Sequence, residues 1–137
     1  GFARLAVYVA MVNHKRMTPQ IRAGYLAPYD SWHNRIAIYR FVQDIPLEPG
    51  DPAYDVITRT RESLGVLADR PILVCWGLKD FVFDRHFLDE WRRVYPDARF
   101  CEFEDSGHYV LEDSAEEIIE LVRSFLTDGP MVDSVAR

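Results

Sequence analysis

Ile72-Leu73-Val74-Cys75-Trp76-Gly77-Leu78-Lys79-Asp80 runs five apolar residues without a break, stops at a glycine and reaches an acid three positions later. A continuous apolar run of this length, bounded by turn residues, marks a parallel strand covered on both faces, because neither side meets water and the polar alternation disappears. Asp84 then stands where a helix cap is needed, with Phe87, Leu88, Trp91 and Val94 at helical spacing behind it and Pro96 closing the segment. Ala98 to Phe103 reads as a second strand. The three pieces form a β-α-β unit, and its right-handed crossover predicts that the two strands lie side by side.

The second strand runs into Ser106-Gly107-His108-Tyr109, so an acid and an imidazole occupy equivalent strand-end loops, 28 residues apart. In open α/β sheets reactive groups collect beyond the carboxyl ends of the strands. A carboxylate there accepts the Nδ1 proton of the imidazole and leaves Nε2 free to take a proton from water or a hydroxyl. Asp80 and His108 are therefore the candidate acid and base of a hydrolytic triad. The third member is missing: no G-x-S-x-G or G-x-D-x-G turn occurs in the 137 residues.

Upstream the pattern is helical. Phe2, Leu5, Ala6, Val9 and Val12 predict an amphipathic helix over 2–13. Thr18-Pro19 caps a short helix that ends near Ala27, ahead of Pro28. Ser31 is read as the cap of a third helix with Trp32, Ile36, Tyr39 and Val42 on one stripe, and Asp51-Pro52 as the cap of a fourth. Downstream, Ser114 and Glu117 form a capping box for a last helix that ends about Thr127. Six helices and two strands leave the Ile72 to Trp76 strand without the neighbours it needs, since two strands make too small a sheet. We therefore expect α/β architecture in which residues 1–50 belong to a helical cap, 51–128 form the C-terminal part of a core, and 129–137 form a tail. Further strands and the nucleophile are expected upstream.

Composition narrows the partners. A net charge of −6 without a Lys/Arg block argues against nucleic acid and anionic membrane surfaces. Leu5 to Val12, the longest apolar stretch, is far short of the roughly 20 residues that span a bilayer and lacks the flanks of a signal peptide. Cys75 and Cys101 have no metal or disulfide spacing, which fits a reducing cytoplasm, and they are read as small buried apolar groups. Glu102, Glu104, Asp105, Glu112 and Asp113 are read as a solvated acidic cluster before a helix, so neither metal nor cofactor is expected. His14, His33 and His86 lack a strand-end acid, and Ser106 is read as a turn residue. Phe81, Phe83 and Tyr109 directly follow the acid and the base and are candidates to wall a pocket for an apolar small molecule. Tyr29, in the cap turn, is a candidate to close it from above, whereas Trp32 is read mainly as core packing.

Trp76-Gly77-Leu78-Lys79-Asp80, Gly107-His108-Tyr109-Val110-Leu111-Glu112-Asp113 and the Ala27-Pro28-Tyr29 turn resemble the haloalkane dehalogenase group of the α/β-hydrolase superfamily. Tyr29-Asp30-Ser31-Trp32 and Asp80-Phe81-Val82-Phe83-Asp84 look closest to its β-lactone decarboxylase branch. The resemblance covers nearly the whole chain as the C-terminal half of such an enzyme. It implies that Asp80 is the triad acid, that His108 is the base, that an aspartate nucleophile lies upstream, and that no cofactor is used. An upstream serine would instead imply an esterase. Epoxide hydrolases share the aspartate and use cap tyrosines, for which Tyr25, Tyr29 and Tyr39 are available, and a non-catalytic binding module is the remaining alternative.

Overall fold

The computed structural model describes residues 2–127, so the expected tail at 129–137 lies outside the described residues. Helices α1 (Phe2–Val9), α2 (Pro19–Leu26), α3 (Ile36–Gln43) and α4 (Tyr54–Ser63) precede strand β1 (Leu73–Gly77). Helix α5 (Arg85–Val94), strand β2 (Arg99–Phe103), the short α6 (Val110–Asp113) and α7 (Ala115–Thr127) follow. The β1 and β2 strands pair in parallel, with Leu73 opposite Arg99 and Gly77 opposite Phe103, and they form a two-stranded sheet among the described residues.

Two of the predicted caps form as read. The Thr18 hydroxyl accepts the Ile21 N–H at 3.2 Å with Pro19 in the first turn, and the Asp84 carboxylate accepts the His86 N–H at 2.9 Å. Each satisfies one of the orphan amides that a helix start leaves open. The buried core gathers Leu88 of α5, Phe103 of β2, Ile118 of α7 and Tyr95, together with Val7, Ala10 and Met11 from the first segment. Full burial of a side chain such as Leu88 contributes about 2 kcal/mol. The Tyr95 hydroxyl donates to the Leu64 carbonyl at 2.8 Å, which fastens the turn after α4 to the end of α5.

Several expectations are corrected. Helix α1 ends at Val9 rather than Asn13, because the Val12 and Asn13 amides are drawn to the Asp113 carboxylate instead of to helical carbonyls. Its predicted apolar stripe is the exposed side: Phe2, Leu5 and Val9 face outward, and Val7 is buried. Helix α3 starts at Ile36, since the Ser31 hydroxyl accepts the Asn34 N–H in a separate turn. Trp32, read as core, is 86% exposed.

Asp51 does not cap α4. Gly50, at φ 110°, turns the chain so that the Asp51 carboxylate accepts the Leu47 and Glu48 amides, which hold it below the usual carboxylate range. The Ser114 hydroxyl is likewise taken, paired with Ser106 at 2.8 Å. Leu73 to Trp76 are half-buried rather than covered on both faces, as follows from a sheet with no third strand among the described residues.

Candidate active site

Gly77 ends β1 where the two strand-end loops touch. A Cβ at this position would lie 2.4 Å from the Gly107 carbonyl oxygen and 2.6 Å from that of Ser106, so only glycine lets the loops approach this closely. Backbone bonds then lock them together: the Leu78 N–H donates to the Phe103 carbonyl and the Lys79 N–H to the Ser106 carbonyl, both at 2.9 Å. At the rim the Lys79 ammonium pairs with Asp105 at 2.6 Å and holds that exposed carboxyl below the usual carboxylate range.

This framework brings Asp80 and His108 together. His108 Nδ1 lies 2.9 Å from Asp80 Oδ2 and 3.2 Å from Oδ1, across 28 residues of chain. The acid is itself held, because Asp80 Oδ1 accepts the Val82 and Phe83 amides at 2.8 and 3.0 Å. A carboxylate only accepts, so the imidazole donates from Nδ1 and presents Nε2 as the free acceptor. The Asp80 side chain is 9% exposed and that of His108 30%, which places the acid beneath and the base at the opening.

The aromatic candidates separate into two places. Phe83 stands 5.5 Å from the His108 ring and Tyr109 6.0 Å from it, between centroids, so both flank the imidazole. Phe83 is fixed through its carbonyl, which accepts the Trp76 indole N–H at 3.1 Å, and through edge contact with Phe87. Phe81 is 63% exposed and has no place in that wall. Tyr29 lines a different opening, an apolar groove of about 1330 Å³ with Phe2, Leu26, Trp32, Ile36 and Tyr39. Neither Asp80 nor His108 lines it, although Tyr29 is near enough to help burial push the Tyr109 phenol upward.

Sequence reading missed how the base is supported. Asp113, read as solvated, is buried, and its carboxylate accepts three amides: Val12, Asn13 and, at 2.8 Å, Gly107. Tyr25 stacks on Tyr109 at 4.9 Å and donates its hydroxyl to Glu112 at 2.9 Å. Burial first, and then the Glu112 carboxylate, push the Tyr25 phenol up to about 12. Its hydroxyl proton is already given to Glu112, which weighs against the cap-tyrosine role open to it in the epoxide alternative. Arg16 forks onto Glu116 and donates to the Glu112 carbonyl at 2.7 Å. Ser106 is fully buried against Ser114, so its hydroxyl is turned away from nucleophilic use. Burial raises the Cys75 thiol, with a smaller push from Cys101 opposite it in the sheet, which favours the unreactive form. Among the described residues no group of three or more His, Cys, Asp or Glu is arranged to hold a metal ion, and no helix is long and apolar enough to cross a membrane.

No family model matches the chain. Among curated proteins it is 49% identical over 128 residues to the cis-3-alkyl-4-alkyloxetan-2-one decarboxylase of Shewanella oneidensis, covering 93% of this chain and 40% of that protein. It is 46% identical over 117 residues to the enzyme of the same name from Xanthomonas campestris, covering 85% of the chain and 39% of the relative. A haloalkane dehalogenase of Mycobacterium marinum is 27% identical over 122 residues, covering 85% of the chain and 39% of the relative. The chain thus spans about 40% of the length of the curated relatives it matches. Its mixed helix and sheet with two parallel strands is consistent with part of an α/β-hydrolase fold. Over almost all of its own length, the chain is a homologue of the cis-3-alkyl-4-alkyloxetan-2-one decarboxylases and, at lower identity, of the haloalkane dehalogenases.

Proposed function

We propose that this chain carries the acid and base of an α/β-hydrolase-type active site whose substrate is a β-lactone, an oxetan-2-one bearing apolar alkyl groups. The observation that carries the reading is the Asp80–His108 pair, with Nδ1 held by a largely covered carboxylate and Nε2 left free. The choice of ring over halide follows the identities, 49% and 46% to the decarboxylases against 27% to the dehalogenase. In this reading residues 1–50 contribute part of a helical cap and 51–128 the C-terminal part of the core. The nucleophile, an aspartate, comes from the length of the relatives that this chain does not span. No cofactor enters the chemistry.

Attack of that carboxylate at C4 of the ring breaks the C4–O1 bond and leaves an enzyme ester and a free carboxylate on C3. Loss of carbon dioxide moves the C2–C3 electron pair into a C3=C4 double bond and expels the enzyme carboxylate. Water is not consumed; once Nε2 of His108 has taken up a proton, with Asp80 stabilising the cation, its N–H donates to the carboxylate groups made and broken. A second reading, dehalogenation, uses the same residues differently. Halide leaves, Nε2 of His108 takes a proton from water, and the resulting hydroxide opens the ester to an alcohol.

The test uses the full-length polypeptide that carries this segment, as wild type and as His108→Gln, with a cis-3,4-dialkyloxetan-2-one and a 1-bromoalkane. Alkene and carbon dioxide from the lactone, lost by about a hundredfold or more in the variant, are the expected result. Bromide release from the haloalkane that stops after one equivalent in the variant would favour the second reading. Steady-state turnover unchanged by His108→Gln, on whichever substrate is used, removes the pair from the mechanism.

A further inference from the structure

His108 is held from both sides by one distant stretch of chain, directly on one side and through Asp113 on the other. The residue before it, Gly107, donates its N–H to Asp113 Oδ2 at 2.8 Å, and the residue after it, Tyr109, donates its N–H to the Ala10 carbonyl at 2.9 Å. Asp113 spends its other acceptor capacity on the Val12 and Asn13 amides, at 2.9 to 3.2 Å. A Cβ on Gly107 would lie 2.9 Å from the Ala10 carbonyl oxygen, so the two backbones are in direct contact. Asp113 is 8% exposed, and the hydrogen bonds from amides to its carboxylate are of the charge-assisted kind, stronger in a desolvated setting.

We infer that Asp113 is a positioning residue for His108: its carboxylate ties the backbone on the amino side of the base to residues 12 and 13 and thereby fixes where Nε2 points. The inference rests on the reading of Asp80 and His108 as the working pair. It adds a residue that touches neither the imidazole nor, in that reading, the substrate. The helix-start role expected for Asp113 does not account for bonds that reach 101 residues back along the chain. Replacing the carboxylate by an amide keeps its size and turns one acceptor into a donor facing an N–H, so the loop carrying His108 must shift. A displacement on the order of 1 Å at a group that must meet the reacting atoms costs about a hundredfold in rate.

In the full-length polypeptide, kcat and KM for a cis-3,4-dialkyloxetan-2-one are measured for Asp113→Asn, Asp113→Glu and His108→Gln, alongside the low-field proton resonance of the Asp80-bound His108 Nδ1–H. Asp113→Asn is expected to lower kcat by about ten- to a hundredfold with KM kept within about twofold, and to broaden or remove that resonance while the rest of the spectrum stays dispersed. Asp113→Glu, which keeps the charge but reaches further, is expected to fall between Asn and wild type. A folded Asp113→Asn protein with wild-type kcat and an unchanged resonance overturns the inference. If the Asn variant does not fold, Asp113→Glu decides: a reduced kcat at constant KM supports positioning, and wild-type kcat overturns it. Activity that survives His108→Gln defeats the underlying reading instead, so the two failures are told apart.

Discussion

Gly77 and Gly107 sit back to back, so close that a Cβ on Gly77 would stand 2.4 Å from the Gly107 carbonyl oxygen. Both obstructing groups, the Gly107 and Ser106 carbonyls, are backbone, so no side chain can rotate out of the way. Gly77→Ala is expected to destabilise by about 3 kcal/mol and to spread the acid and base loops. Gly24→Ala, inside α2 with nothing within 4 Å, is expected to stabilise by about 0.5–1 kcal/mol. Urea midpoints of the two variants against wild type check the contrast, and equal shifts would mean that the loops are not in contact.

Asp80→Asn is nearly isosteric yet should lower kcat by about a thousandfold or more. Its amide oxygen is claimed by the Val82 and Phe83 N–H groups, which leaves the amide nitrogen toward His108. A neutral donor there leaves Nδ1 bare and takes away the charge that stabilises an imidazolium, so His108 is neither the charged donor of the lactone reaction nor the base of the halide one. Steady-state kinetics with the variant's fold verified by circular dichroism reads this directly. A loss below tenfold would mean that Asp80 does not set the tautomer.

Asp84→Ala should cost about 1 kcal/mol by removing the acceptor for the His86 amide at the start of α5. The bond is local, so the loss is expected in stability and not in KM. Thermal midpoints together with KM for the lactone separate the two, and an increase in KM would place Asp84 nearer the substrate than its capping bond implies.

What could be read from the sequence depended on how local the physics was. Thr18 and Asp84 cap their helices because each bond closes within three residues. Asp80 and His108 meet because a right-handed crossover leaves consecutive parallel strands little choice but to be neighbours. Asp113 followed the pattern of a solvated helix-start acid, and what buries it arrives from Val12 and Asn13, about a hundred residues away. Asp51 and Ser114 carried the right residue type for a cap, but each side chain found a better partner, two turn amides in one case and the Ser106 hydroxyl in the other. The apolar stripe of α1 was visible, but its direction was not: periodicity shows that a helix has an apolar side, not what that side meets.

Tyr25 offers a check on the contact between α2 and the His108 loop. Burial and the neighbouring Glu112 carboxylate raise its phenol from 10.0 to about 12, so the folded state holds the proton more tightly than the unfolded state. A group raised in this way adds stability that is complete below the unfolded value and is lost as pH rises through the folded one. The contribution should therefore be constant up to about pH 10 and disappear between about 10 and 12. The difference in denaturant midpoint between wild type and Tyr25→Phe, followed from pH 8 to 12, is expected to narrow across that window, while the late-titrating tyrosinate absorbance of wild type, to which Tyr25 and Tyr109 both contribute, loses one phenol in Tyr25→Phe. A difference that stays flat through pH 12, or a Tyr25 that ionises with the exposed tyrosines, would mean that its hydroxyl is not held by Glu112 and that the Tyr25–Tyr109 stack beside His108 is looser than 4.9 Å implies.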